Sequence, residues 1–128
     1  RLIAKQYRIY LRNVPGITLP PEMPWAKNIY WLYSILIHEK EAGISRDELM
    51  KVLTREGIET RSFFYPLNIQ PPYRSSNDFP NSARIASEGI SLPSSNSLTR
   101  QEIQRVCKTI KEAIRNQRAI GQLKGVLQ

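Results

Sequence analysis

Two arginines, Arg61 and Arg74, bracket a stretch rich in groups that bind polar ligands: Tyr65, Asn68, Gln70 and Tyr73. A guanidinium grips a phosphate or carboxylate through two donors at once. Phenol and amide side chains both donate and accept, which suits the hydroxyls of a sugar. The chemistry on offer is recognition of a polar, anionic ligand. The same stretch holds Pro66, Pro71, Pro72 and Pro80, so neither a regular helix nor an interior strand can run through it. It must be a long loop, and long ordered loops in compact domains are often functional. A surface connection with tyrosine rings packed on it is the alternative that the pattern leaves open.

Other reactive groups are sparse. The sequence has no phosphate-cradling glycine loop, no paired cysteines for zinc and no His-Glu-x-x-His. The one histidine, His38, falls at a strand end beside Glu39 and Glu41 and reads as a solvent-exposed imidazole. Cys107, the one cysteine, lies among the apolar positions of a helix. It reads as a buried, inert thiol, because nothing near it in sequence stabilises a thiolate. A single cysteine makes no internal disulfide, which agrees with a reducing cytoplasm. Asp47 and Glu48 are explained by a helix N-terminus, where carboxylates complement the dipole.

Charge points toward an anionic partner. Nineteen Lys and Arg against eleven Asp and Glu leave +8, which invites a polyanion such as nucleic acid or a phosphorylated ligand. The excess sits mostly at the two ends, in Arg1, Lys5, Arg8 and Arg12 and again from Arg105 to Lys124. There it fills the polar faces of two amphipathic helices, so a solvated face is the expectation and nucleic acid is disfavoured. A basic regulatory or nucleic-acid-binding module remains the alternative reading. The longest apolar stretch, Ile29 to Ile37, is too short to span a bilayer.

The elements that must position the loop follow from periodicity. Residues 1–12 carry Ile3, Tyr7, Tyr10 and Leu11 at helical spacing with no capping residue ahead of them, as in a domain cut from a longer protein. Val14-Pro15-Gly16 stops that helix. Asn28 to His38 is apolar at both alternating sets of positions, the mark of a central strand covered on both faces. Ser45 and Glu48 form a capping box for a helix that buries Leu49, Val52 and Leu53 and stops at Gly57. Ile58 to Phe64 alternates as a second strand, Asn81 to Ser87 forms a short helix, and Gly89 to Pro93 a very short third strand. Thr99 and Glu102 box a final helix with Ile103, Val106, Cys107, Ile110, Ala113 and Ile114 on its apolar face. The order implies an α/β domain over residues 1–118, helices on a three-stranded mixed sheet, with residues 119–128 as a frayed tail. One crossover helix between the first two strands allows them to be parallel.

A family likeness rests on a series of short motifs in order: Tyr30-Trp31-Leu32-Tyr33, Ser45-Arg46-Asp47-Glu48-Leu49-Met50, Gly57-Ile58-Glu59-Thr60-Arg61, Phe64-Tyr65-Pro66-Leu67, Gln70-Pro71-Pro72-Tyr73, Phe79-Pro80, Gly89-Ile90-Ser91-Leu92-Pro93-Ser94 and Leu98-Thr99. Together, from about residue 1 to residue 115, they resemble the C-terminal region of DegT-type sugar-nucleotide aminotransferases, and the perosamine-synthase branch looks most similar. The resemblance implies the small domain of a fold-type I pyridoxal-phosphate enzyme, working as a homodimer. Such enzymes move an amino group from glutamate to a keto-sugar carried on a nucleoside diphosphate. The Schiff-base lysine, the acid for the pyridine nitrogen and the phosphate cradle belong to the family's large N-terminal domain. Neither a catalytic residue nor bound pyridoxal phosphate is therefore expected in this chain. By resemblance Arg61, Tyr65, Asn68, Gln70 and Tyr73 face the sugar nucleotide. Asn68 stands where family members often carry His, and an amide positions a ligand without shuttling protons near neutral pH.

Overall fold

A computed structural model gives the structure of residues 1–74 and 76–126, and the side chains described end at Leu123. Helix α1, Leu2–Leu11, starts at Arg1 without a side-chain cap and buries Ala4, Tyr7 and Leu11. The chain then turns at Gly16, whose φ of +73° is left-handed and whose missing side chain leaves room for the Ala42 backbone. A two-residue strand follows, β1, Ile17–Thr18. The proline-rich run leads to β2, Tyr33–Ile37, and then to a single helical turn, α2, Glu39–Ala42. Helix α3, Arg46–Arg55, opens on the expected capping box between Ser45 and Glu48. The short strand β3, Arg61–Ser62, precedes the loop, and α4, Pro80–Glu88, leads straight into β4, Gly89–Leu92. Helix α5, Arg100–Val126, closes the chain. Its capping box also forms, with the Thr99 amide donating to Glu102 at 2.7 Å and the Glu102 amide to Thr99 at 3.3 Å.

The sheet has four strands in the order β1-β2-β4-β3, every pair antiparallel, in place of the expected three-stranded mixed sheet. The added strand is β1, where Ile17 pairs Ile37 and Thr18 pairs Leu36. Two residues carry no readable alternation, and the turn at Gly16 creates the pairing. β2 and β3 do run in the same direction, as a crossover allows. β4 lies between them and opposes both, so no parallel ladder forms. Chain order thus hid an interleaving that only tertiary packing decides.

The predicted strand over 28–38 shortens to β2. Tyr30 adopts φ +50°, and its amide donates to the Asn28 side chain at 2.8 Å, a local turn that breaks the extended chain. Within β2, Tyr33, Ile35 and Ile37 are buried while Ser34 and Leu36 are only half-buried, so one face belongs to the core. Register puts Tyr33 opposite Leu92 and Ile35 opposite Ile90 on that face. The other face pairs Ser34 with Ser91, hydroxyl to hydroxyl at 2.8 Å.

The core gathers Tyr7 and Leu11 of α1, Leu49 and Leu53 of α3 and Ile103, Cys107 and Ile110 of α5, with the sheet residues. Tyr7 stacks on Tyr33 with ring centroids 4.7 Å apart. Cys107 is buried, as expected, and burial pushes its thiol up to about 12. The boundary expected at residue 118 falls inside α5, and residues 127–128 lie outside the described residues. Among the described residues no helix is long and apolar enough to cross a membrane.

Candidate functional site

The prolines shape the loop between β3 and α4. Two 3-10 turns, Leu67–Ile69 and Pro71–Tyr73, are joined by Gln70, whose backbone stays extended ahead of Pro71. The Gln70 side chain donates back to the Tyr65 carbonyl at 3.0 Å, and the Tyr73 amide donates to the Gln70 carbonyl at 2.9 Å. The loop is therefore closed on itself. Apolar side chains that would normally seek a core stand in water: Phe64 and Tyr65 are each 77% exposed and Leu67 65%.

Where the loop folds over α4 it leaves a cleft of about 370 Å³, lined by Arg46, Tyr65, Pro66, Asn68, Ile69, Asp78, Phe79, Ala83, Ala86 and Ser87. A second hollow of about 580 Å³ lies on its other side, with Tyr65, Ile69 and Gln70 in its wall. Of the five residues expected to face a ligand, Tyr65 and Asn68 share the first hollow and Tyr65 and Gln70 the second. Arg61 and Tyr73 line neither. Arg61 is exposed, 3.9 Å from Glu59, and the Tyr73 ring is 63% exposed.

Arg46 is the charged wall of the cleft that sequence reasoning missed. Its side chain is 14% exposed; Nε donates to Asp47 at 2.5 Å and Nη1 to the carbonyls of Ala86 at 3.1 Å and Gly89 at 2.9 Å. A signal was present. A cation in the first turn of a helix opposes the dipole, so Arg46 needs another task to hold it there. With Asp78 also in the lining, the cleft offers one cation, one carboxylate, a phenol and an amide. Such a set can hydrogen-bond hydroxyls and hold an anion, and it contains neither histidine nor lysine to move a proton near neutral pH.

His38 departs from the exposed imidazole expected of it. Its Nε2 lies 2.7 Å from the Thr18 hydroxyl and its Nδ1 3.2 Å from Glu88, which also accepts from Arg84 at 3.0 Å. The ring ties β1 to the end of α4, a connection unreadable while β1 itself was unseen.

Residues 1–111 match the model of the DegT/DnrJ/EryC1/StrS aminotransferase family. The chain belongs to that family. It is 35% identical over 114 residues to the GDP-perosamine synthase of Vibrio cholerae, covering 87% of this chain and 30% of that protein. Identity to the GDP-perosamine synthase of Escherichia coli O157:H7 is 32% over 106 residues, 81% of this chain and 28% of that one. Among solved structures, DesI in the presence of its TDP-sugar product superposes with a TM-score of 0.82 at 26% identity, over 97% of this chain and 33% of DesI. The chain thus spans about a third of the length of the relatives it matches.

The family is one of aminotransferases, and pyridoxal phosphate is the cofactor that the sequence resemblance implies for it. The described residues do not fit that cofactor. It needs a lysine enclosed beside an anion-binding cradle, whereas Lys5, Lys27, Lys40, Lys51, Lys108 and Lys111 are all exposed.

Proposed function

We propose that this chain is the small, sugar-facing domain of a pyridoxal-phosphate-dependent aminotransferase. That enzyme transfers the amino group of glutamate to a keto-sugar linked to a nucleoside diphosphate, in the manner of the perosamine synthases. The observation that carries this reading is the cleft in which the folded loop sets Tyr65 and Asn68 beside Arg46, within a chain that the family model matches over residues 1–111. Asn68 and Tyr65 hydrogen-bond the substrate's hydroxyls. Gln70 holds the loop in shape through the Tyr65 carbonyl. Arg61 and Tyr73, which line neither hollow, meet the substrate only once the rest of the enzyme or a partner subunit lies against them.

The cofactor and its lysine belong to a preceding domain of the same polypeptide, and the chain alone is inactive. The exposed Phe64, Tyr65 and Leu67 support this, since apolar groups of that size seek cover. The enzyme works as a homodimer in the cytoplasm. The test is to supply the whole protein with glutamate and a nucleoside-diphosphate-4-keto-6-deoxy sugar. Production of 2-oxoglutarate and the amino sugar in equal amounts is expected, because each amino group lost by glutamate is gained by the ketone. No 2-oxoglutarate above background, with a panel of such keto-sugars, would refute the reading.

A further inference from the structure

In the sequence the excess positive charge lies at the two ends, as though on two separate helix faces. Packing of α1 against α5 brings those ends together. Between them runs a groove of about 670 Å³ whose charged lining is Arg12, just past α1, and Lys111, Arg115 and Arg118 of α5. Among the described residues no carboxylate lines it. Among the described residues Arg12, Arg115 and Arg118 have no ion-pair partner. The Lys111 ammonium lies 5.9 Å from the centre of the Tyr10 ring. Ile9, Val14, Pro15 and Ala119 add apolar surface, and Asn13 and Gln122 two amides.

An ordinary solvated helix face interleaves its charges, as Lys108 and Glu112 do at 4.0 Å elsewhere on α5. Four cations on one concave surface with no acid among them instead focus a positive potential into the groove. Three are guanidiniums, weakly hydrated and shaped for bidentate contact with phosphate. The volume falls within the range of about 300 to 1,000 Å³ that encloses a small ligand. A single-stranded nucleic acid would call for a row of aromatic platforms. Here Tyr10 is the one aromatic in the lining, its hydroxyl already held by Arg100 and Gln104.

We infer that the α1–α5 groove binds a soluble organic diphosphate, its phosphates on Arg12, Arg115 and Arg118 and its apolar or aromatic part on Ile9 and Val14. The groove shares no lining residue with the loop cleft, so the two can be tested apart.

The test is a calorimetric titration of the 128-residue chain with GDP and, separately, with inorganic pyrophosphate. At about 0.15 M salt, diffuse attraction is screened beyond about 8 Å. GDP is expected to bind at one saturable site, and pyrophosphate more weakly because it leaves the apolar surface unfilled. Arg12→Gln/Arg115→Gln should weaken GDP binding at least about tenfold, since each loss removes a charge-assisted contact. The charge-matched Lys5→Gln/Lys51→Gln, outside the groove, should change it less than about twofold, as remote exposed charges are screened. Undiminished GDP binding in the Arg12→Gln/Arg115→Gln variant would place the binding elsewhere and overturn the inference. Equal losses in both double variants, or no saturable binding, would reduce the groove to a diffuse field. Tighter capture by phosphatidylglycerol vesicles than by GDP would assign it to a lipid surface and equally overturn the soluble ligand. Arg115→Gln alone, at an exposed position, repeats the test with a smaller loss should the double variant melt early.

Discussion

Arg46 reaches from the first turn of α3 to the carbonyl of Gly89 at the start of β4, donating to it at 2.9 Å. That carbonyl also accepts the Phe63 amide at 3.3 Å, so one oxygen joins helix, sheet and the root of the loop between β3 and α4. Hydrogen bonds to a charged group contribute about 1.5 to 3 kcal/mol each when little exposed. Arg46→Ala should therefore lower stability by about 2 to 3 kcal/mol in urea denaturation. Arg61→Ala, exposed and 3.9 Å from Glu59, should stay within about 0.5 kcal/mol.

Gly89 is required for a different reason. A Cβ built there would lie 2.3 Å from the Phe63 ring. Gly89→Ala must displace that ring and should cost about 1 to 3 kcal/mol, the usual range for overpacking. Phe63→Ala in the same chain removes the clash, so a double-mutant cycle should give coupling opposite in sign to the single losses. Strict additivity would show that the two do not press on one another.

Tyr7 and Tyr33 share a stack and differ at their hydroxyls. Tyr7 donates to the Pro93 carbonyl at 2.7 Å, while the Tyr33 hydroxyl is buried with no partner among the described residues. Tyr7→Phe should cost about 0.5 to 1.5 kcal/mol. Tyr33→Phe should be neutral or stabilising, because it deletes a polar atom that is buried unsatisfied. Thermal denaturation of both variants checks the contrast.

Alkaline pH should weaken the fold from a definite starting point. Burial raises the Cys107 thiol from its ordinary 9 to about 12, and raises Tyr7 and Tyr33 above their ordinary 10. These groups stay protonated in the folded chain while the unfolded chain loses protons, so stability is full below pH 9 and falls as pH rises toward 12. Melting temperature against pH should decline over that window. Cys107→Ala should make the decline shallower from its own, separately measured, neutral value.

The two capping boxes and the apolar stripe of α5 could be read from sequence because each depends on residues three or four apart. So could the loop, since Pro66, Pro71 and Pro72 keep a long helix or an interior strand out of it, while Pro80, read with them, takes the first position of α4. What escaped depended on contacts distant in sequence. β1 exists only because Ile17 finds Ile37, and the mixed sheet failed because β4 inserts between β2 and β3. Tyr65 and Asn68, named on residue type and family resemblance, line the cleft, but Arg46 was hidden inside a capping motif 43 residues from the carbonyl it holds. Arg61 and Tyr73, expected on residue type and family resemblance to face the ligand, line neither hollow.

The central claim is that this loop positions the sugar nucleotide without moving protons, and Asn68→Ala in the whole aminotransferase tests it most directly. kcat/KM is measured with the sugar nucleotide varied at saturating glutamate. Loss of one neutral hydrogen bond predicts a fall of about two- to tenfold, with the cofactor's absorbance unchanged. Wild-type kinetics would contradict the assignment of Asn68 to the substrate, and a fall of about a hundredfold or more would contradict a positioning role in favour of proton transfer.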